Sequence, residues 1–200
     1  MRLEILDNGH SKIQKIFISL IRKMMGGFVP GPILIQSYRP NFFGKPYNEA
    51  VETALRKSKV WSKTEVEILA AFVSKNNQCQ FCMIAHSAVA SQGVEKTVVD
   101  MVLDDWRTAP VSEQLRATLG FVEQLTKAPG KMTPEDLQPM FDASVSREAI
   151  EEAIQVVFVF SVINRLADAF DFELAEKDLQ RNRMGFMLFN MGYGIAAVPG

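Results

Sequence analysis

The sequence at residues 62–93 reads SKTEVEILAAFVSKNNQCQFCMIAHSAVASQG and predicts two helices joined by a short polar break. Ser62 followed by Glu65 is a capping-box pattern, in which the serine hydroxyl accepts the amide three residues on and the glutamate accepts the amide of the cap. A helix should therefore begin there and continue to about Lys75. A second helix is expected over 79–93. The two helices would form a helical hairpin whose boundaries are set by the local sequence.

Helical periodicity extends outward from this hairpin through most of the chain, and no strand pair flanks a hairpin turn signal. We therefore predict an all-α, single-domain helical bundle. The segment 28–46 contains four prolines and is predicted to be an irregular arm. Further helices are expected at residues 11–25, 48–59, 95–103, 112–127, 134–141 and 147–170. Within one domain over 1–200, residues 1–60 form the N-terminal helix and arm, 61–93 the thiol-site helices, and 94–200 the remaining helices and C-terminal tail.

The composition fits a globular protein of modest size. The 200 residues carry a formal net charge of −1 and are 48% hydrophobic, which supplies a core and gives no electrostatic basis for binding nucleic acid. A spanning helix needs about 20 mostly apolar residues, and runs such as 156–163 are interrupted by Asn164 and Arg165. The N-terminus lacks the pattern of a secretory signal. We expect a cytoplasmic protein that binds neither nucleic acid nor membranes.

Both cysteines and one of the two histidines lie within eight residues. At about 100° per residue, Cys79, Cys82 and His86 project within about 60° of one another on a helix. His86 follows Cys82 by one turn and could take the proton of its thiol. The two cysteines are close enough for a disulfide, and a helix N-terminus favours a thiolate. Thiolate attack, a sulfenic acid and closure to a disulfide would complete a redox cycle.

Other interpretations of this motif remain open. Structural zinc requires four ligands, for which His10 is the only additional histidine, and free cysteines can also be simple core residues. Attachment of c-type haem is excluded because Met83 stands where the motif requires histidine. A thioredoxin fold would place the cysteines in a βαβ setting that the chain lacks.

Glu67, twelve residues before Cys79, is the only charged side chain from Val66 to Val73. If its helix packs against the cysteine helix, an apolar environment would raise the pKa of the carboxyl group and allow it to pass protons. Glu67 also projects near Lys63 and Ser74 and could belong to a solvated face. The spacing alone leaves both alternatives open.

Three other features have structural interpretations. Arg165 and Asp168 are predicted to form an ion pair one helical turn apart, outside the site. His10 is expected at the surface among polar neighbours. The apolar stretch 184–193 is expected to be buried against the core or a neighbouring subunit, because an exposed apolar tail promotes association.

The run from Glu67 through Cys79 and Cys82 to His86 resembles the alkylhydroperoxidase D branch of the carboxymuconolactone decarboxylase family. That family is all-helical and pairs a glutamate with Cys-x-x-Cys-x-x-x-His at this distance. A weaker likeness extends to two further segments, Gly27-Phe28-Val29-Pro30 and Asn164-Arg165-Leu166-Ala167-Asp168-Ala169. Only the thiol motif is specific.

This resemblance implies catalytic roles for four residues. Cys82 would attack the peroxide, Cys79 would resolve it as a disulfide, and His86 with Glu67 would relay protons. The resemblance also implies a homo-oligomer, a trimer or hexamer, with no metal or organic cofactor. Electrons would come from an external dithiol, such as a lipoyl-bearing or thioredoxin-like protein.

The resulting prediction is an antioxidant thiol peroxidase that reduces alkyl or hydrogen peroxides. Some peroxidase members carry a second histidine between the cysteines, where this chain has Gln80 and Phe81. One alternative is therefore a carboxymuconolactone decarboxylase-like enzyme, although such enzymes work without redox thiols. The other is a helical assembly or binding module in which the cysteine pair is a redox-sensitive staple.

Overall fold

A computed structural model describes residues 4–194, which form helices and turns without a β-strand. The helices are α1 (Ile5–Asn8), α2 (Lys12–Met24), α3 (Gly31–Tyr38), α4 (Lys45–Arg56), α5 (Lys63–Asn76), α6 (Gln80–Ala90), α7 (Lys96–Asp105), α8 (Glu113–Lys127), α9 (Gln138–Asp142), α10 (Arg147–Phe170) and α11 (Asp178–Met191). A π-helical turn at Pro40–Gly44 precedes α4, and 3₁₀ turns at Pro129–Lys131 and Pro134–Leu137 precede α9. The prediction of an all-α fold is confirmed.

Several helices begin at the capping residues that the sequence analysis predicted. Ser62 and Glu65 form the predicted capping box of α5. Ser112 and Ser146 accept backbone amides at the starts of α8 and α10. The predicted helix at 134–141 begins as a 3₁₀ turn after Thr133 and becomes α9. Local hydrogen bonding at the cap therefore explains why these boundaries could be read from sequence.

The prediction of an irregular proline-rich arm is wrong. Residues 28–46 instead contain α3, the π-helical turn and the start of α4. Pro30 is the N-cap of α3, and Pro32, Pro40 and Pro46 lie in the first two positions of the three helical segments. A first-turn amide has no partner within its helix, so a proline there removes no hydrogen bond.

The core is built around the α5–α6 hairpin. Helix α5 packs against α6, α8 and α10, and its residues Val66 to Ser74 are all buried. The long helix α10 crosses behind it and contributes Val156 and Phe160 to the same core. Helix α6, which begins with the thiol motif, therefore packs against the buried helix α5 and also contacts α10.

Helix α11 was not predicted as a helix, although the expected burial of its apolar stretch is confirmed in part. Met184 and Gly185 are buried against α6, whereas Phe186 and Met191 are exposed. A Cβ atom at Gly185 would lie 2.5 Å from the carbonyl oxygen of Ala88, so only glycine permits this close approach. The last six residues of the tail lie outside the described part of the chain.

One described helix, α10, is long and apolar enough to cross a membrane by length and composition. The expectation that every apolar run is too short is therefore wrong for this segment. The same test is passed by core helices of soluble proteins, and Ala153, Val156, Phe160 and Ala167 of α10 are buried in the core.

Candidate active site

The two cysteines lie at the start of α6, with both sulfurs inside the protein. Cys79 is the N-cap residue with an extended backbone, one residue before the helix that was expected to include it. Gln78 adopts a left-handed conformation (φ 62°) and turns the chain sharply into the helix. Cys79 is 0% exposed and Cys82 is 2% exposed, and both are free thiols.

The cysteine pair has unequal acidities. The thiol of Cys82 donates towards the Cys79 sulfur, and this lowers the pKa of Cys79 despite its burial. The same interaction, together with burial, raises the pKa of Cys82 well above its usual value. A hydrogen bond from the side chain of Asn164 partly offsets this by lowering the pKa of Cys82. The same side chain donates to Ser74 Oγ at 3.1 Å. The reduced pair therefore favours a single thiolate, on Cys79.

Asp168 is a residue of this site that the sequence analysis assigned elsewhere. Arg165 and Asp168 do not form the predicted ion pair, and the Arg165 guanidinium donates to the carbonyl of Ser161. The carboxylate of Asp168 instead acts on Cys79 and raises the pKa of that thiol, which partly offsets the effect of Cys82. Asp168 itself is exposed.

A buried polar network surrounds the imidazole of His86. Its Nδ1 lies 2.7 Å from Glu67 Oε2, and Arg56 Nη1 lies 2.7 Å from Glu67 Oε1. The Tyr193 hydroxyl donates to Glu67 Oε1 at 2.9 Å and lies 3.2 Å from His86 Nδ1. Arg56 also stacks over the Tyr193 ring at 4.8 Å and donates to the carbonyl of Leu188. The carboxylate of Glu67 is thus held by three side chains.

Glu67 is fully buried, so a solvated position for it is wrong. The expectation of a raised pKa is also wrong. Burial raises the pKa of this carboxyl group, but His86 and Arg56 more than offset it and hold the pKa below its usual value. Glu67 is therefore ionised and only accepts hydrogen bonds, so His86 Nδ1 carries a proton and donates it to Glu67 Oε2.

Cys82 and His86 share the lining of an apolar cavity of about 110 Å³. The other side chains around it are mainly apolar and come from α2, α3, α4, α10 and α11, among them Ile21, Met25, Ile33, Phe160, Met184 and Met187. Cys79 is not part of the lining. A ligand in the cavity would therefore meet Cys82 first, with Cys79 behind it. A larger open groove along α8, of about 910 Å³, shares no lining residue with this cavity.

Sequence reasoning missed Arg56 and Tyr193, which no local motif marks. His10 was also placed wrongly, since it is buried and its Nε2 lies 2.9 Å from the Leu34 carbonyl oxygen. Across residues 4–194, no group of three or more His, Cys, Asp or Glu side chains is arranged to hold a metal ion. The structural-zinc interpretation therefore has no ligand set in the described part of the chain.

Solved structures identify the architecture. No family sequence model matches the chain, and no curated protein matches it by sequence. An uncharacterized peroxidase-related protein from Silicibacter sp. TM1040 superposes with a TM-score of 0.75 at 20% identity, covering 88% of this chain and 92% of that chain. An uncharacterized peroxidase-related protein from Ralstonia eutropha JMP134, described as an alkylhydroperoxidase AhpD core, gives 0.73 at 22% identity, with 92% and 95% covered. The chain has the alkylhydroperoxidase D fold.

A third protein with this fold has a different named activity. The debrominase Bmp8 superposes with a TM-score of 0.67 at 19% identity, covering 86% of this chain and 89% of its own. A variant of Bmp8 with a cysteine replaced by alanine was solved with 2,3,4-tribromopyrrole. The proteins that share this fold thus include peroxidase-related proteins and a debrominase, and identities of about 20% establish the fold alone.

Proposed function

We propose that this protein is a thiol-dependent peroxidase that reduces alkyl or hydrogen peroxides at Cys82. The observation that carries the proposal is the shared cavity, because Cys82 and His86 line the same small apolar space. Cys79, the N-cap residue of α6, does not line the cavity. A peroxide in the cavity would therefore meet Cys82 as the attacking sulfur, and Cys79 would act as the resolving sulfur.

The first step forms a sulfenic acid on Cys82. Its proton passes to the Cys79 sulfur, towards which it already donates. The Cys82 thiolate then attacks the terminal peroxide oxygen, so that an S–O bond forms and the O–O bond breaks. Sulfur loses two electrons and the alkoxide leaves. The alkoxide takes a proton from solvent through the imidazole of His86, which Glu67 orients.

The second step closes the disulfide. The Cys79 sulfur attacks the Cys82 sulfur, an S–S bond forms and the S–O bond breaks. The departing hydroxide takes the Cys79 proton and leaves as water. An external dithiol, such as a lipoyl-bearing or thioredoxin-like protein, then reduces the disulfide by thiol exchange and supplies two electrons. Assembly into a trimer or hexamer and a cytoplasmic location are part of the same proposal.

In this scheme, Glu67 is a positioning residue and does not relay protons. An ionised carboxylate with a lowered pKa is a poor proton carrier near neutral pH. Its function would be to fix the tautomer and orientation of His86, as a buried carboxylate does in a catalytic triad. The roles of Arg56 and Tyr193 would be to hold that carboxylate in place.

The test follows consumption of tert-butyl hydroperoxide with dihydrolipoamide regeneration. Cys82→Ser should abolish turnover, whereas Cys79→Ser should form one sulfenic acid per chain and then stop. Mass spectrometry of the oxidised wild type should show a Cys79–Cys82 disulfide. Equal peroxide consumption by wild type and Cys82→Ser would refute the proposal. A redox staple without catalysis would instead change oligomeric state on oxidation and show no turnover.

Thiol-dependent reductive debromination is a second candidate, favoured by the almost wholly apolar cavity and by the debrominase of the same fold. Here the Cys82 thiolate would take bromine from an aryl bromide, and the carbon would receive a proton. Cys79 would then displace bromide and form the disulfide. Bromide release from 2,3,4-tribromopyrrole, measured by ion chromatography, separates this activity from peroxide reduction.

A further inference from the structure

The cavity contains one buried polar atom that has no partner within the protein. Gln36 lines the cavity and is 5% exposed, and its Oε1 forms no hydrogen bond. An amide oxygen removed from water and left unpaired is unfavourable, and such groups are rare in folded proteins. Gln36 lines the same space as Cys82, so a turn of its side chain would bring Oε1 to a donor on a ligand in the cavity.

The backbone around Gln36 is closely packed. Gln36 lies in the last turn of α3, just before the π-helical turn. A Cβ atom at Gly44, the end of that turn, would lie 2.6 Å from the Gln36 carbonyl oxygen, so the turn packs directly on this residue. Single π-helical turns occur frequently at functional sites. The tight packing holds the backbone of Gln36 in place, so only its side chain has to turn for the amide to meet a ligand.

We propose that Gln36 selects the substrate by accepting a hydrogen bond from it. The substrate would combine a small apolar body with one donor, either a hydroxyl or hydroperoxyl group or a ring N–H. A cavity of about 110 Å³ limits the body to roughly the size of benzene, which occupies an engineered cavity of about 150 Å³ in another protein. A substrate without a donor would leave Oε1 unpaired and be rejected, as sites built around a polar contact reject analogues that lack it.

This inference rests on the proposed function only in calling the ligand a substrate, because binding can be measured without turnover. Toluene and phenol have the same number of heavy atoms, and only phenol carries a donor. Furan and pyrrole form a second matched pair, with an N–H donor in pyrrole. Titrations by NMR can follow the methionine methyl groups, since Met25, Met184 and Met187 line the cavity.

The decisive variant is Gln36→Met, which keeps the length of the side chain and removes the amide. The preference for phenol over toluene, expressed as the ratio of their dissociation constants, should fall about fivefold, as expected for the loss of one neutral hydrogen bond. The variant should fold and be at least as stable as wild type, because an unpaired buried amide is removed. Whichever matched pair responds more strongly identifies a hydroxyl or an N–H donor.

Ser37→Ala is the matched control. Ser37 is the next residue of α3, its Oγ is also buried without a partner, and it does not line the cavity. This variant should keep the wild-type preference. The inference is refuted if Gln36→Met changes the ratio less than twofold for both pairs, or if no ligand shifts the methionine signals. A preserved donor preference in a protein without peroxidase activity would refute the proposed function and leave this inference standing.

Discussion

The buried ion pair between Arg56 and Glu67 should dominate the stability of the site. Glu67 is fully buried and the Arg56 side chain is 5% exposed, with 2.7 Å between Nη1 and Oε1. Glu67→Gln leaves the Arg56 charge buried without its counter-ion. Breaking such a pair costs about 3–5 kcal/mol. For a chain of this size the melting temperature should fall by roughly 6–20 °C, since each kcal/mol corresponds to about 2–4 °C.

A double-mutant cycle isolates this interaction. Arg56→Met should destabilise less than Glu67→Gln, because Glu67 keeps its contacts with His86 and Tyr193. The double variant contains neither charge, so its loss of stability should be smaller than the sum of the single losses by about 2 kcal/mol or more. Urea unfolding followed by circular dichroism gives all three values.

The same variants distinguish an effect on the free energy of unfolding from an effect on the rate of peroxide consumption. The double variant should recover much of its stability but not the rate of peroxide consumption, because His86 no longer has an anionic partner. The reasoning is refuted if Glu67→Gln costs less than about 1 kcal/mol, since a buried charge without its counter-ion is then not destabilising. It is also refuted if the losses of the two single variants simply add in the double variant.

Further predictions concern the hydroxyl, the pH dependence and the thiols. Tyr193→Phe removes a hydrogen bond to the charged Glu67 and should cost about 1.5–3 kcal/mol in urea unfolding; an unchanged midpoint would contradict the bond. Because the pKa of Glu67 is lowered by folding, its contribution to stability is complete above about pH 5 and is lost as the pH falls through the folded pKa. Glu67→Gln should therefore weaken the acid dependence of unfolding, and parallel curves would refute this. Titration of the reduced protein by thiolate absorbance should show one group below and one above the usual thiol pKa. In Cys82→Ala the pKa of Cys79 should move up towards its ordinary value, and no shift would show that the two thiols do not interact.

Some predicted features depended only on neighbours in sequence. The capping box of Ser62 and Glu65 and the cap at Ser146 are each formed by side chains hydrogen-bonding to the backbone within one turn, so the sequence contains all the atoms involved. The prolines of residues 28–46 show the limit of this reasoning. A proline is compatible with a loop and with the first turn of a helix, so the prolines alone could not distinguish the two. The folded chain has helices there, with prolines in their first turns.

The environment of Glu67 could not be read from its own helix. Whether this carboxylate is solvated, protonated or ionised depends on what lies across from it, and Arg56 and Tyr193 come from α4 and from beyond α11. Asp168 was misassigned for the same reason. Its spacing in sequence indicated Arg165, one turn away, as its partner, and gave no sign of Cys79, which lies at the start of another helix.

The sequence by itself determined the helical class, the main helix starts and the spacing of Cys79, Cys82 and His86, because these follow from contacts within a few residues along the chain. Only the tertiary structure decided which sulfur faces the cavity, why Glu67 is ionised and that Gln36 has no partner. Burial and long-range charge pairs set those properties, and they arise from residues far apart in sequence that meet only when the helices pack.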